Sequence, residues 1–246
     1  MPKNILTMND KGGVGKTTFT TAVAVALAAE NVKFTGIEVE SEPRLSKRYP
    51  QTFQHIPVAD VDSMIEQDAS AVVAQFDPLF KKLAIGNCLV DLGANVVRTM
   101  MPIFEASGPD QFVGDGENVA IAIVTTSNAD ALESARRNAL AAIKLMPACK
   151  RFLIVNEFTG TIPEDSAFID SMRKAEFEIL NVRHCRAKSL PLLQHLSLTD
   201  LADVKRATLL KLGVEEGEAQ RDSVVIAKFA QNMIDVATPL ATWFKA

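Results

Sequence analysis

Residues 9–18 read Asn9-Asp10-Lys11-Gly12-Gly13-Val14-Gly15-Lys16-Thr17-Thr18. A short apolar run, Ile5-Leu6-Thr7-Met8, leads in, and a helix-forming stretch from Thr18 to Glu30 leads out. Strand, glycine-rich loop, Gly-Lys-Thr and helix in that order predict a phosphate-binding loop. Glycines let backbone N–H groups crowd around an anion with no Cβ in the way. The helix N-terminus adds partial positive charge and free donors. On this reading Gly12, Gly13, Val14, Gly15, Lys16, Thr17 and Thr18 hold the phosphates of a nucleotide such as ATP. Lys16 reaches the β- and γ-phosphates, and the Thr17 hydroxyl ligates Mg²⁺. The strict spacing G-x-x-x-x-G-K-[ST] places its first glycine at residue 10, which here is Asp10.

Lys11 makes the loop more specific. Lys-Gly-Gly-Val-Gly-Lys-Thr-Thr resembles the deviant Walker A loop of the ParA/MinD family of P-loop ATPases, and most resembles small ParA-type partition ATPases. The resemblance implies ATP hydrolysis and an ATP-dependent homodimer. It gives Lys11 the role of crossing to the phosphates held by the other subunit. Asp10 fits too: ParA-like members tolerate a non-glycine there, whereas MinD-like members usually keep glycine.

A phosphate-binding loop needs an acidic residue at the end of a neighbouring strand to hold Mg²⁺ through water. Cys88-Leu89-Val90-Asp91-Leu92-Gly93 supplies Asp91, and Gly93 would let the following segment move with the γ-phosphate. The stretch Ile37-Glu38-Val39-Glu40-Ser41-Glu42-Pro43-Arg44 resembles the family's switch I motif, Asp-x-Asp-Pro-Gln. Glu40 and Glu42 then stand for the two aspartates, Pro43 for the proline and Arg44 for the glutamine. By resemblance Glu40 sits near the Mg²⁺ shell and Glu42 orients the attacking water. A register with Glu38 and Glu40 as the two carboxylates stays open, although it loses the proline match. Both carboxylates are one methylene longer than aspartate, and water attack is sensitive to small misplacements. Phe152-Leu153-Ile154-Val155-Asn156-Glu157 ends an apolar run in asparagine. Family members read the adenine edge with an asparagine here, and an amide offers both the donor and the acceptor that this requires. As an alternative, Asn156 is an ordinary strand-end turn residue.

Apolar runs alternate with helical patterns, which predicts an α/β fold: a doubly wound, mainly parallel sheet flanked by helices, with residues 1–246 as one domain. Predicted strands are Asn4–Met8, Lys33–Val39, Asn87–Asp91, Val119–Thr125, Arg151–Asn156 and Glu178–Val182. Predicted helices are Lys16–Glu30, Val61–Phe76, Asn95–Ala106, Ala129–Met146, Glu164–Lys174, Lys188–Leu196, Leu198–Leu212 and Asp222–Phe244. Ser107–Asn118 reads as a long polar loop. The net charge of −4 argues against a generally basic nucleic-acid protein. Cys88, Cys149 and Cys185 lie far apart with no metal-ligand spacing, and Cys88 reads as core. The expectation is a cytoplasmic protein, nucleoid-associated if it binds DNA.

Four outputs of such an ATPase differ in what they require. Non-specific DNA binding needs a basic surface. Arg183, Arg186, Lys188, Lys205, Arg206 and Lys211 face only Asp200 and Asp203 within residues 183–211, a local charge of +4 in an acidic chain. An adaptor protein bound to a centromere-like site would then stimulate hydrolysis. Membrane binding needs a cation-rich amphipathic helix. The last helix has an apolar stripe (Val225, Phe229, Met233, Val236, Leu240, Trp243 and Phe244) but few cations, and Pro239 is expected to break it. Packing against the sheet explains the stripe better. Cluster chemistry needs a cysteine pair that is absent. An amide-forming synthetase needs a substrate pocket, and none is legible. A conjugation- or scaffold-associated relative remains open beside DNA partition.

Overall fold

The computed structural model describes residues 2–59 and 69–246. Seven strands form one parallel sheet: β1 (Asn4–Met8), β2 (Thr35–Glu40), β3 (Phe53–Pro57), β4 (Cys88–Leu92), β5 (Val119–Thr125), β6 (Lys150–Asn156) and β7 (Glu178–Val182). Their order is β3-β2-β4-β1-β5-β6-β7. A parallel sheet covered on both faces needs strands that are apolar on both sides. Residues 119–125 (VAIAIVT) meet that demand and are buried throughout.

Helix α1 (Lys16–Ala29), the short helix Leu198–Ala202 and the long helix Glu216–Lys245 cover one face. Helices Ala69–Ile85, Val96–Ala106, Ala129–Leu145 and Ala167–Lys174 cover the other. The chain leaves β1 toward β2 and β3, returns through β4, and then builds outward from the opposite side of β1. Ligands on such sheets bind at the carboxyl ends of the strands where this direction reverses. The glycine-rich loop starts there.

Several expected elements differ. The edge strand β3 was not anticipated. It pairs with β2 from Gly36↔Phe53 to Glu40↔Pro57. The start of the expected helix Val61–Phe76 lies outside the described residues, and the described helix there runs Ala69–Ile85. The expected helix Leu198–Leu212 is two short helices, Leu198–Ala202 and Arg206–Lys211. Asp200 forms a capping box with Ser197 at the first of these. Lys188–Leu196 contains only a 3₁₀ turn, Leu190–Leu193, with Pro191 inside it. Ser107–Asn118 includes a helical turn, Asp110–Val113, whose Phe112 packs on Phe80 at 5.2 Å between ring centroids.

Pro239 does not break the last helix, which is continuous from Glu216 to Lys245. Proline removes one helical N–H and crowds the preceding turn. Here packing on α1 outweighs that cost. Met233, Leu240 and Phe244 are buried in the core they share with Val23 and Leu27 of α1. Lys245 pairs with Glu30 at 2.6 Å. The apolar stripe is therefore largely used inside the protein, while Val225 remains exposed. No helix among the described residues is long and apolar enough to cross a membrane.

Candidate functional site: a nucleotide cradle

The loop is pinned at its start. The buried Asn9 amide donates to the Val124 carbonyl at 2.9 Å, and its oxygen accepts from the Lys11 N–H at 2.9 Å. Gly13 and Gly15 adopt φ of 76° and 97°, the left-handed region where a Cβ is costly. Gly15 is also the N-cap of α1. A Cβ there would stand 2.6 Å from Asn156 Nδ2. No side chain caps α1 and no acid sits in its first turn. The free N–H groups of that turn thus face the loop without a protein anion, which is the condition for phosphate binding.

The expected partners of the loop converge. Thr17 Oγ1 donates to Asp91 Oδ2 at 2.8 Å, and Thr20 Oγ1 donates to Asp91 Oδ1 at 2.9 Å. Burial pushes the Asp91 carboxyl up to about 6, against the two hydroxyls and the Lys16 charge. Its ionised form therefore costs stability above that pH, and the cost fades as pH falls toward the ordinary 3.8. A nearby cation offsets the same cost. The donor set, one hydroxyl and one carboxylate, suits Mg²⁺, which keeps waters and takes the rest of its shell from substrate phosphates.

Lys16 is almost fully buried and donates to the Lys11 carbonyl at 3.1 Å. Burial lowers its pKa, while Asp91, Glu40 and Asp10 pull it back. Lys11 instead points outward and pairs with Asp130 at 3.1 Å.

The three switch I glutamates separate into different environments. Glu38 is buried and accepts from the N–H groups of Arg44, Leu45 and Ser46 at 2.8, 2.8 and 2.9 Å, and from the Ser46 hydroxyl at 2.7 Å. Burial alone would raise its carboxyl, but these donors hold it below its usual range. It caps the short helix Leu45–Arg48, a structural use that leaves no free acceptor for water chemistry. Glu40 lies over Gly93. A Cβ at Gly93 would fall 2.3 Å from Glu40 Oε2, so a side chain there would push the Glu40 carboxylate aside. Glu42 is exposed and makes no hydrogen bond among the described residues.

Glu38→Ala is expected to destabilise the protein by about 2 kcal/mol, the scale of losing charge-assisted bonds at a buried cap. Because the folded pKa is depressed, the Glu38 contribution is present above the ordinary value of 4.5 and is lost as pH falls through the lower folded value. Urea unfolding of parent and variant at neutral and acid pH measures both, and the gap between them should close in acid.

Asp10 has a role that its sequence position did not disclose. Its side chain is 9 % exposed and accepts from the Arg98 N–H at 2.9 Å, at the third position of helix Val96–Ala106. With its amide turned so that the nitrogen faces the carboxylate, Asn138 brackets it, donating to Asp10 Oδ2 at 3.0 Å and accepting from the Asp10 N–H at 3.2 Å. Desolvation raises its pKa against the Arg98 N–H and the charges of Arg137, Lys16 and Arg98. Asp10 thus fastens the phosphate loop to the helix that follows Asp91 and Gly93.

Asn156 donates to the Val14 carbonyl at 3.0 Å and accepts from the Phe158 N–H at 3.2 Å. It braces the loop and lines a cavity of about 620 Å³ that opens beside Gly13, Gly15, Thr17 and Thr18. The cavity continues between Arg44, Tyr49, Arg183 and His184 into a leucine-rich recess, and no carboxylate among the described residues lines it.

A glycine cradle at a helix N-terminus, with a buried lysine and a threonine of that helix bonded to an aspartate at a neighbouring strand end, defines a P-loop nucleotide-binding protein on a doubly wound α/β sheet. The family described as the CobQ/CobB/MinD/ParA nucleotide binding domain matches residues 5–179, and the chain belongs to that family. Among solved structures it is similar to the MinD cell division protein of Aquifex aeolicus, with a TM-score of 0.53 and 16% identity over 97% of this chain and 96% of that one. It is also similar to a putative plasmid partition protein of Borrelia burgdorferi B31 bound to AMPPNP, with a TM-score of 0.50 and 13% identity over 96% and 97%. A further solved structure of a plasmid partition protein from Borrelia burgdorferi gives 0.50 and 15% over 83% and 100%. These likenesses are of fold. No curated protein matches the chain.

Proposed function

We propose that the protein is an Mg²⁺-dependent ATPase of the ParA type, whose ATP-bound dimer holds DNA without regard to sequence and drives partition or cargo positioning. The observation that carries the ATPase reading is the Thr17–Asp91 pair beside Lys16 and the uncapped start of α1. The bound metal would supply charge neutralisation at the phosphates. Thr17 and Asp91 would hold it, Lys16 would grip the phosphates, and the loop amides would orient them. Lys11, at the loop's outer edge, would contact the nucleotide of a second copy. Glu40, over Gly93, would sense the metal and γ-phosphate region. The exposed Glu42 would orient water once switch I closes. Glu38 is committed to its cap, which favours this register over the Glu38–Glu40 alternative. Asn156 has one amide hydrogen and one lone pair left for a base.

The DNA reading rests on the C-terminal third. Arg183, Arg186, Lys188, Lys205, Arg206 and Lys211 are all exposed. Only Arg206 is in an ion pair among the described residues, with Glu216 at 3.0 Å. Cations left for solvent are available to phosphates. Duplex DNA of random sequence should bind with Mg²⁺-ATP and not with Mg²⁺-ADP. About five phosphate contacts would weaken that binding by roughly 10²–10³ between about 50 and 200 mM salt. Fluorescence anisotropy across salt checks this. Absence of binding in both nucleotide states would leave the ATPase standing and move the output to a protein scaffold. Three residues of the last helix's stripe, Met233, Leu240 and Phe244, are buried against α1, which favours DNA or a protein over a membrane as the output.

A further inference from the structure

We infer that Phe158, steadied by His184, is the seat on which the nucleotide's base stacks. This extends the nucleotide reading to a residue outside the phosphate loop. Phe158 lies in the 3₁₀ turn Glu157–Thr159 that follows β6, and His184 lies just past β7. Adjacent parallel strands thus bring both rings to the same end of the sheet, and both line the cavity beside the loop. Their centroids are 5.7 Å apart at 58°, a tilted contact that restrains one side of the phenylalanine. Phe158 is nevertheless 65% exposed. An apolar ring left open to water in a concave site is more informative than one on a convex surface.

The neighbouring polar group explains why a stacking surface is needed. Asn156 uses half of its hydrogen-bonding capacity on Val14 and Phe158, so its side chain serves first as a brace for the loop. The Phe158 backbone contributes to that brace while its ring remains available. Arg183 completes a wall without carboxylates among the described residues, which suits an anionic ligand with an aromatic end. Every base has a π-face, so stacking adds affinity with little choice between adenine and guanine.

The test compares ADP, GDP and pyrophosphate by titration calorimetry on the parent, Phe158→Ala and Phe158→Tyr. None of these ligands requires turnover. Phe158→Ala should bind ADP and GDP about tenfold more weakly, the scale of one base–aromatic stack, with pyrophosphate affinity unchanged. Phe158→Tyr should restore nucleotide affinity. Unchanged ADP affinity in Phe158→Ala would overturn the inference, and so would an equal loss for pyrophosphate, which would signal a disturbed loop. If the parent itself binds neither ADP nor pyrophosphate, the nucleotide reading fails, and this inference falls with it.

Discussion

Lys16→Ala is expected to eliminate nucleotide binding while leaving the protein folded. The ammonium group is almost fully buried and its proton is held less tightly than usual, because desolvation outweighs Asp91, Glu40 and Asp10. A buried charge with that balance does not sustain the fold. Its one hydrogen bond, to the Lys11 carbonyl, is modest in net worth at about 1 kcal/mol. A nucleotide would lose much more. Two charge-assisted bonds to phosphate, at about 1.5–3 kcal/mol each, correspond to a loss of roughly 100-fold or more. Titration calorimetry with ATP, alongside thermal unfolding without ligand, separates the two effects. Near-parental affinity in the variant would remove the phosphate-loop assignment.

Lys11→Ala should act differently. Its bond to Asp130 joins side chains that are 43% and 75% exposed, and such surface pairs are worth about 0–1 kcal/mol. Stability should therefore barely change, and ATP should still bind to single copies. Dimer formation and turnover should be lost, because the resemblance assigns Lys11 to the second copy's nucleotide. Sedimentation velocity with ATP and with ADP distinguishes these states. A variant that still dimerises with ATP would sink the role in trans. Lys16 and Lys11 thus predict opposite patterns from one loop: no binding in the first, binding without assembly in the second.

The parallel architecture was legible because its signals are local. The strand before the loop, the buried run 119–125 and the regular alternation with helices all carry the expected pattern within short windows. The edge strand β3 was not legible. Phe53-Gln54-His55-Ile56-Pro57 is short, half polar and ends in proline, so its strand character depends on pairing with β2. The loop and Asp91 could be placed from motif and spacing, and the structure brings them together. Asp10 could only be noted as a departure, because its partners Arg98 and Asn138 lie far along the chain. Glu38, Glu40 and Glu42 looked equivalent in sequence. Burial and four short-range donors distinguish Glu38, and they appear only when the strand end and the following turn are seen together. Phe158 carried no signal at all, since its significance lies in its exposure beside a cavity.

The sheet order also constrains how this chain can be made. β1 has no sequence neighbour beside it: its partners begin at Cys88 and Val119. α1 shares its core with residues 230–244 of the last helix. During synthesis the phosphate loop emerges well before the strands that support it and the helix that covers it. High-separation contacts of this kind slow folding and prolong exposure of apolar surface. The nucleotide cradle is thus translated before most of the elements that support it, and it takes shape only once they arrive.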